Sequence, residues 1–236
     1  MVAFAELSQQ QVVALLDEMT STRNLLAYGL RVIRSAAFID TTRDPILTML
    51  SIGLEKLYKL TLGLISLDHD RAWPSKAEMK ARGHNLLEMH EAVLRELRTR
   101  TASSAPYVRG LVVEVERDQV VAPIVAALDL YGSRGRFYNL DELGGHSQPI
   151  SPGAAWQEIE DAVLLDPAVQ TLFQRAMTDP SDGASWGEMT EALHERIAVS
   201  VERLWTAIAV CGRNHVLGET GRAFGVEVHP DAVGRQ

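Results

Sequence analysis

The chain has little cysteine and no long uninterrupted apolar run. Its 236 residues contain one cysteine, Cys211, which excludes an intramolecular disulfide and a cysteine-rich zinc site. Because Cys211 follows an apolar run, we expect a buried, structural thiol. The apolar stretches at 46–54 and 197–210 meet charged residues before they reach the roughly 20 residues that a membrane-spanning helix requires. We therefore expect no membrane span.

Positive charge is scarce as well. The N-terminal stretch MVAFAELSQQQ contains no Lys or Arg, and Glu6 ends its short apolar run, so no secretory signal is predicted and we expect a cytoplasmic protein. Over the whole chain, 23 Lys and Arg face 31 Asp and Glu, a formal net charge of −8. This balance argues against a broad basic face for nucleic acid. Only local arginine clusters, such as Arg134 with Arg136, can provide concentrated positive charge.

The apolar residues that are present recur at steps of three and four, the period of a helix with one buried face. The pattern predicts a first helix from Leu7 to Phe38 with Ser8 as its N-cap, and a second from Pro45 to Leu67 with Asp44 as its cap. Further helices are predicted at 75–82, 84–100, 111–131, 154–164, 167–177 and 185–210. We therefore predict an all-α fold, an up-and-down helical bundle with additional C-terminal helices.

Glycine-rich segments divide this predicted bundle. Residues 1–131 form its core, and residues 132–153 are rich in Gly, Ser and Pro and are predicted to be an irregular loop. Residues 154–217 are predicted to be C-terminal helices that pack on the same domain. Residues 218–236 contain four glycines and no sustained period, so we predict a flexible tail.

Two short motifs lie on the second and third long predicted helices. The sequence GLEKLYKL at 53–60 is followed, after a loop, by GHNLL at 83–87. Residues 25–97, which contain both motifs, resemble HEPN domains. Members of that family are helical bundles with a Glu-Lys-x-x-Lys-type stretch and a next helix that begins with a His-x-Leu-like stretch. The sequence RGRFY at 134–138 is similar to an Arg-Tyr element that follows the bundle in some members.

The resemblance implies an RNA-associated protein of a prokaryotic defence or toxin–antitoxin type system. It would be a metal-independent endoribonuclease with no cofactor or an inactive RNA-binding relative, would form a homodimer, and would have an antitoxin or nucleotidyltransferase-like partner. HEPN ribonucleases use an arginine, a polar residue and a histidine, because arginine stabilises phosphorane charge and histidine transfers protons. By this resemblance the catalytic residues here are Arg213, Asn214 and His215, and Arg134, Arg136 and Tyr138 bind RNA.

The same residues have simpler interpretations. Glu55 and Lys59 stand one turn apart and can form an ordinary ion pair, and His84 can orient a helix start. Only Asn214 separates Arg213 from His215, fewer residues than in the family pattern. That spacing and the acidic charge favour, over an active nuclease, a non-enzymatic helical module that binds a protein or a small ligand through the loop at 132–153.

Two further interpretations remain open. Arg222 and His229 have the family spacing, but they lie in the predicted tail. Glu191-x-x-His194 matches one ligand pair of di-iron helix bundles, but the sequence contains no second pair of this type. A metal-dependent bundle is therefore the least favoured alternative, and we predict no metal site.

Overall fold

The structure, a computed structural model, describes residues 4–36 and 38–233 and is all-α over those residues, which confirms the predicted fold class. The α-helices are α1 (Gln9–Ser35), α2 (Ile39–Asp70), α3 (Lys76–Ala81), α4 (Leu86–Arg100), α5 (Pro106–Arg117), α6 (Val121–Ser133), α7 (Tyr138–Leu143), α8 (Pro152–Val163), α9 (Pro167–Thr178), α10 (Gly183–Arg213) and α11 (Gly218–Glu227). Two 3₁₀ turns span Gly135–Phe137 and Pro230–Val233. Three parts of the chain lie outside the described residues. They are residues 1–3 of the predicted bundle, Ala37 of the predicted first helix, and residues 234–236 of the predicted tail.

The long helices α1 and α2 form an antiparallel hairpin. Leu50 packs against Gly29, and Leu26 packs against Gly53, which is the register of two helices that run in opposite directions. Helix α10 lies beside α1, and the Arg34 guanidinium at the end of α1 contacts the carboxylates of Glu195 and Glu202 at 2.7 and 2.8 Å. Helix α1 therefore packs on both α2 and α10.

A single hydrophobic core joins the described α-helices other than α3 and α7. Helix α2 also packs against α4, α6 and α11, while α8 packs on α6 and α10. The largest fully buried side chains include Trp205, Tyr58 and Phe224. Within residues 4–36 and 38–233, no helix is both long and apolar enough to cross a membrane.

The start of α1 follows the prediction, but the start of α2 does not. The Ser8 hydroxyl caps α1 and the Gln11 side chain completes a capping box. Helix α2 begins at Ile39, so Pro45 lies inside it rather than at its first position. Proline has no N–H for the carbonyl four residues earlier, that of Thr41. The helix continues through the loss of this one bond near its start, and the chain from 39 to 44 is helical.

Two segments that were predicted to be irregular contain helices. The segment 132–153 includes the 3₁₀ turn at Gly135–Phe137 and α7, and α8 begins at Pro152. The predicted tail contains α11, which packs on α10 and α2 and buries Phe224 completely. Its glycines allow close backbone contact between helices instead of conferring flexibility, which composition alone does not distinguish.

Candidate functional site

Residues from three separate parts of the chain line one groove of about 210 Å³. They come from the middle of α2, the loop before α4, and the chain from the end of α6 through the following 3₁₀ turn. We call this the motif groove, because it joins the two motifs at 53–60 and 83–87 with the arginine element at 134–138. Its lining residues are Thr48, Ser51, Ile52, Glu55, Lys56, His84, Tyr131, Gly132 and Arg136.

The Glu55 carboxylate connects the two motifs. It accepts a hydrogen bond from the Lys59 ammonium at 2.7 Å, and the His84 Nδ1 lies 3.0 Å from both of its oxygens. Burial raises the pKa of the Glu55 carboxyl, but the hydrogen bonds from Lys59 and His84 more than offset this and leave the pKa below its usual value. An ionised carboxylate only accepts, so the His84 Nδ1 carries a proton and Nε2 is available to a ligand.

Local structure before α4 holds His84 at the groove. Gly83 has a φ of 58°, a left-handed conformation that glycine adopts easily at the end of a helix such as α3. The Asn85 side chain caps α4 by accepting from the Glu88 N–H at 3.0 Å. Asp129 of α6 accepts from the Leu86 N–H at 2.6 Å. These caps hold the first turn of α4 in place. They also hold His84, which directly precedes the cap residue Asn85.

The opposite wall is formed where α6 ends against α2. Gly132 packs on Ser51, and the Tyr131 hydroxyl lies 3.1 Å from the Thr48 hydroxyl. After this contact the 3₁₀ turn places the Arg136 guanidinium over the Phe137 ring, 5.0 Å from the ring centroid. Arg136 is exposed and forms no ion pair with any described residue. Its hydrogen-bond donors are therefore available to an anion.

Side chains of both charges border the motif groove. The Lys56 ammonium pairs with Glu18 of α1 at 2.6 Å, and 28% of its side chain is exposed. His84 is 67% exposed. Arg136 and His84 offer donating groups to the groove, whereas Lys56 is paired with Glu18 and Glu55 is engaged by Lys59 and His84. Among the lining residues, Arg136 is therefore the cation that has no ion pair.

A second concave surface adjoins the motif groove on the other side of Arg136. We call it the polar depression; its volume is about 270 Å³, and it is lined by Asp40, Thr41, Arg43, Asp44, Gly135, Arg136, Tyr138, Asn139, Ser151, Pro152 and Gly153. Arg136 lines both surfaces. A ligand held at Arg136 can therefore extend in both directions.

The predicted catalytic residues lie at the end of α10, and their side chains are used in local contacts. Arg213 Nε donates to the Gly225 carbonyl at 3.1 Å. The Asn214 amide oxygen accepts from the Tyr107 hydroxyl at 2.6 Å. His215 has a φ of 61° and its Nδ1 lies 3.1 Å from Glu219. These contacts join α10 to α11 and α5.

The three predicted RNA-binding residues have different positions. Arg136 lines both concave surfaces and Tyr138 lines the polar depression, whereas Arg134 is not among the residues that line either one. Sequence reasoning did not select Arg43, Thr48 or Tyr131, because nothing in the one-dimensional pattern brings α2 and the end of α6 together. A polar stripe opposite the apolar face of α2 was the only available signal.

The other residues considered from the sequence do not form a metal site. Glu191 is exposed whereas His194 is buried, so the two side chains do not share an environment. Burial lowers the pKa of His194 and, together with Arg213, that of His229. Over the described ranges, no three His, Cys, Asp or Glu side chains are grouped closely enough to hold a metal ion. Cys211 is buried, and burial raises its pKa to about 12.

Comparison with models of known protein families, with curated proteins and with solved structures finds no match to this chain. The residues of the motif groove are separated by up to about ninety positions in the sequence, from Thr48 to Arg136.

Proposed function

We propose that this chain is a HEPN-like RNA-binding protein that holds the phosphate backbone of RNA in the motif groove. The observation that carries the proposal is the convergence of three motif elements, since Glu55, His84 and Arg136 line one concave surface. In keeping with the HEPN resemblance, we infer a homodimer with an antitoxin or nucleotidyltransferase-like partner.

The charges of the groove support a phosphate ligand. Arg136 offers a planar set of donors that matches a phosphate, and it has no ion pair with a described residue. His84 is oriented by Glu55 and presents Nε2 as a further polar contact. With two or three such groups, affinity is modest and depends on salt. That agrees with an acidic protein that binds RNA at one groove rather than over a broad basic face.

The contacts at the end of α10 favour binding over cleavage by Arg213 and His215. The Arg213 guanidinium contacts a backbone carbonyl of α11, and His215 pairs with Glu219. Both side chains therefore have structural partners in this state. We assign the RNA-binding role to the motif groove and keep the nuclease hypothesis as a separate arm of the experiment.

The first prediction is that Arg136→Ala weakens RNA binding. Fluorescence anisotropy with labelled single-stranded oligouridine measures the dissociation constant at several salt concentrations. Loss of a charge-assisted phosphate contact should raise it by about tenfold. A plot of the logarithm of the association constant against the logarithm of the salt concentration should also become less steep by about 0.7, the value for one phosphate contact on a single strand.

Arg31→Ala is the matched control. Arg31 is also exposed and also lies over a neighbouring aromatic ring, 5.6 Å from the centroid of Tyr28, but it lines neither the motif groove nor the polar depression. Its substitution should leave the dissociation constant unchanged. Equal effects of the two substitutions, or no RNA binding by the unaltered protein, would sink the proposal.

The same RNA incubated in EDTA tests for metal-independent cleavage. Degradation that disappears in both Arg213→Ala and His215→Ala would establish a nuclease with the predicted catalytic residues. Binding without degradation is the expected result, because both side chains have structural partners.

A further inference from the structure

The polar depression has walls of opposite hydrogen-bonding character. Its α2 wall is rich in acceptors, because Asp40, Thr41 and Asp44 line it. Pro45 has no N–H to donate to the Thr41 carbonyl, so that carbonyl lacks its usual helical partner. The Asp44 side chain is exposed and makes no hydrogen bond or ion pair with any described residue. This wall can accept several hydrogen bonds from one ligand.

Donors come from the facing 3₁₀ turn and from Arg43, whose side chain extends from α2 toward α8. Arg136 stands at the boundary with the motif groove and is free of ion pairs with the described residues. The Arg43 guanidinium lies against Gly153 of α8, where a side chain would displace it. Its Nε is buried without a hydrogen-bond partner, and one terminal nitrogen lies 3.3 Å from Asp40. Asn139 and Ser151 add neutral polar groups.

A guanine base matches this pair of walls. Its O6 and N7 atoms are adjacent acceptors that arginine binds with two donors. Its Watson–Crick edge presents adjacent N–H donors, which a carboxylate can accept when the base is unpaired, as in single-stranded RNA. Asp44 and Arg136 supply these complementary groups. A simple phosphate matches less well, because Asp40 and Asp44 would repel it.

We propose that the polar depression binds an unpaired guanine of the same RNA strand whose phosphate backbone occupies the motif groove. Arg136 links the two sites, and Asp44 is the residue that distinguishes guanine from the other bases. This inference rests on the proposed function, because it assumes RNA in the motif groove. It adds a base preference, which backbone binding alone does not produce.

The test uses three labelled oligouridines that differ at one central position, which is guanosine, inosine or adenosine. Inosine lacks the exocyclic amino group of guanine, and adenine presents a different edge. The unaltered protein should bind the guanosine strand about tenfold more tightly than the adenosine strand, with inosine between them. Asp44→Asn should remove this preference and leave binding of plain oligouridine unchanged.

Asp17→Asn is the matched control, since Asp17 is likewise exposed and has no partner among the described residues. It should preserve the guanosine preference, and circular dichroism should show that both variants fold. Equal affinity for the three strands would overturn the guanine site. If Arg136→Ala still weakened the binding of plain oligouridine in that case, the proposed function would stand without a guanine site.

Competition with guanosine 5′-monophosphate separates a guanine within RNA from a free nucleotide. The monophosphate should compete weakly, because it lacks the strand that occupies the motif groove. Tight binding of the monophosphate, sensitive to Asp44→Asn, with no binding of the guanosine strand would overturn the assignment to RNA. It would also contradict the proposed function.

Discussion

At the scale of the residue, glycines of α10 occupy two opposite environments. A Cβ at Gly212 would lie 2.7 Å from the Gly221 carbonyl oxygen and 3.0 Å from the Gly225 Cα, so backbone meets backbone where α10 and α11 cross. Gly187, near the other end of the same helix, has nothing within 4 Å of its added Cβ. The first glycine permits a helix contact, and the second only weakens a helix.

The second prediction compares alanine at these two positions. Gly212→Ala should lower the free energy of unfolding by about 1 to 3 kcal/mol, because the methyl group would separate α10 from α11. Gly187→Ala should raise it by about 0.5 to 1 kcal/mol, since alanine favours an open helical position. Urea unfolding followed by circular dichroism measures both. A stabilising effect of Gly212→Ala would show that the two backbones are not in contact.

At the scale of the element, α4 depends on a carboxylate from another helix. Asp129 of α6 accepts from the Leu86 N–H at 2.6 Å and more weakly from the Leu87 N–H at 3.4 Å, beside the local cap by Asn85. A helix N-terminus has N–H groups without intrahelical partners, and a negative charge there is favourable. The contact also determines where His84 lies, so helix capping and the functional groove are coupled.

The third prediction concerns this cap. Asp129→Ala should lower the free energy of unfolding by about 1 to 2 kcal/mol and weaken oligouridine binding, because His84 loses its fixed position. Asp129→Asn retains a side-chain oxygen and should recover part of both losses. Equal losses in the two variants, measured by urea unfolding and anisotropy, would contradict a capping role.

At the scale of the whole molecule, buried polar groups connect distant helices. The Asp118 side chain, after α5, is completely buried and meets Arg196 and Arg203 of α10. Burial raises its pKa, and the hydrogen bonds from Arg196, Val120 and Ser200 lower it by more. The His90 Nδ1 of α4 lies 2.6 Å from the Tyr58 hydroxyl of α2. Burial lowers the pKa of His90 to about 4.

The fourth prediction follows from His90 and its pKa. Between the ordinary histidine pKa of 6.5 and the folded value of about 4, the unfolded chain binds a proton that the folded chain does not, so stability falls as the pH falls. The pKa values of His194 and His229 are also lowered in the folded chain, so these two histidines likewise reduce its stability as the pH falls. Between about pH 7 and pH 4.5, the free energy of unfolding should decrease by at least about 2 kcal/mol.

His90→Gln is the variant that isolates this contribution, because glutamine can still bond to Tyr58 but does not titrate. Its unfolding free energy should change clearly less over the same pH range than that of the unaltered protein. Parallel pH profiles for the two proteins would show that His90 does not stay neutral in the fold. Below about pH 4, where the His90 contribution ends, further losses belong to carboxylates such as Asp118 and Glu55, whose folded pKa values are lowered.

Periodicity and capping chemistry predicted most helices because both are local. Ser8 caps α1 as predicted, and the pair of Glu55 with Lys59 follows from one helical turn of spacing. Pro45 misled the prediction because a helix tolerates the loss of one hydrogen bond near its start. Gly221 and Gly225 misled it because they lie at the close crossing of α10 and α11, where packing overrode their local preference.

The sequence by itself determined the all-α class and the motif residues Glu55, His84 and Arg136, because helix periods and motifs are written in neighbouring positions. Only the tertiary structure decided that these residues line one groove, since that requires Gly132 to pack on Ser51 and Asp129 to cap α4. It also decided that Arg213 contacts the backbone of α11 rather than an open groove. Such contacts join positions far apart in the chain, and packing of the whole core, rather than any local preference, sets them.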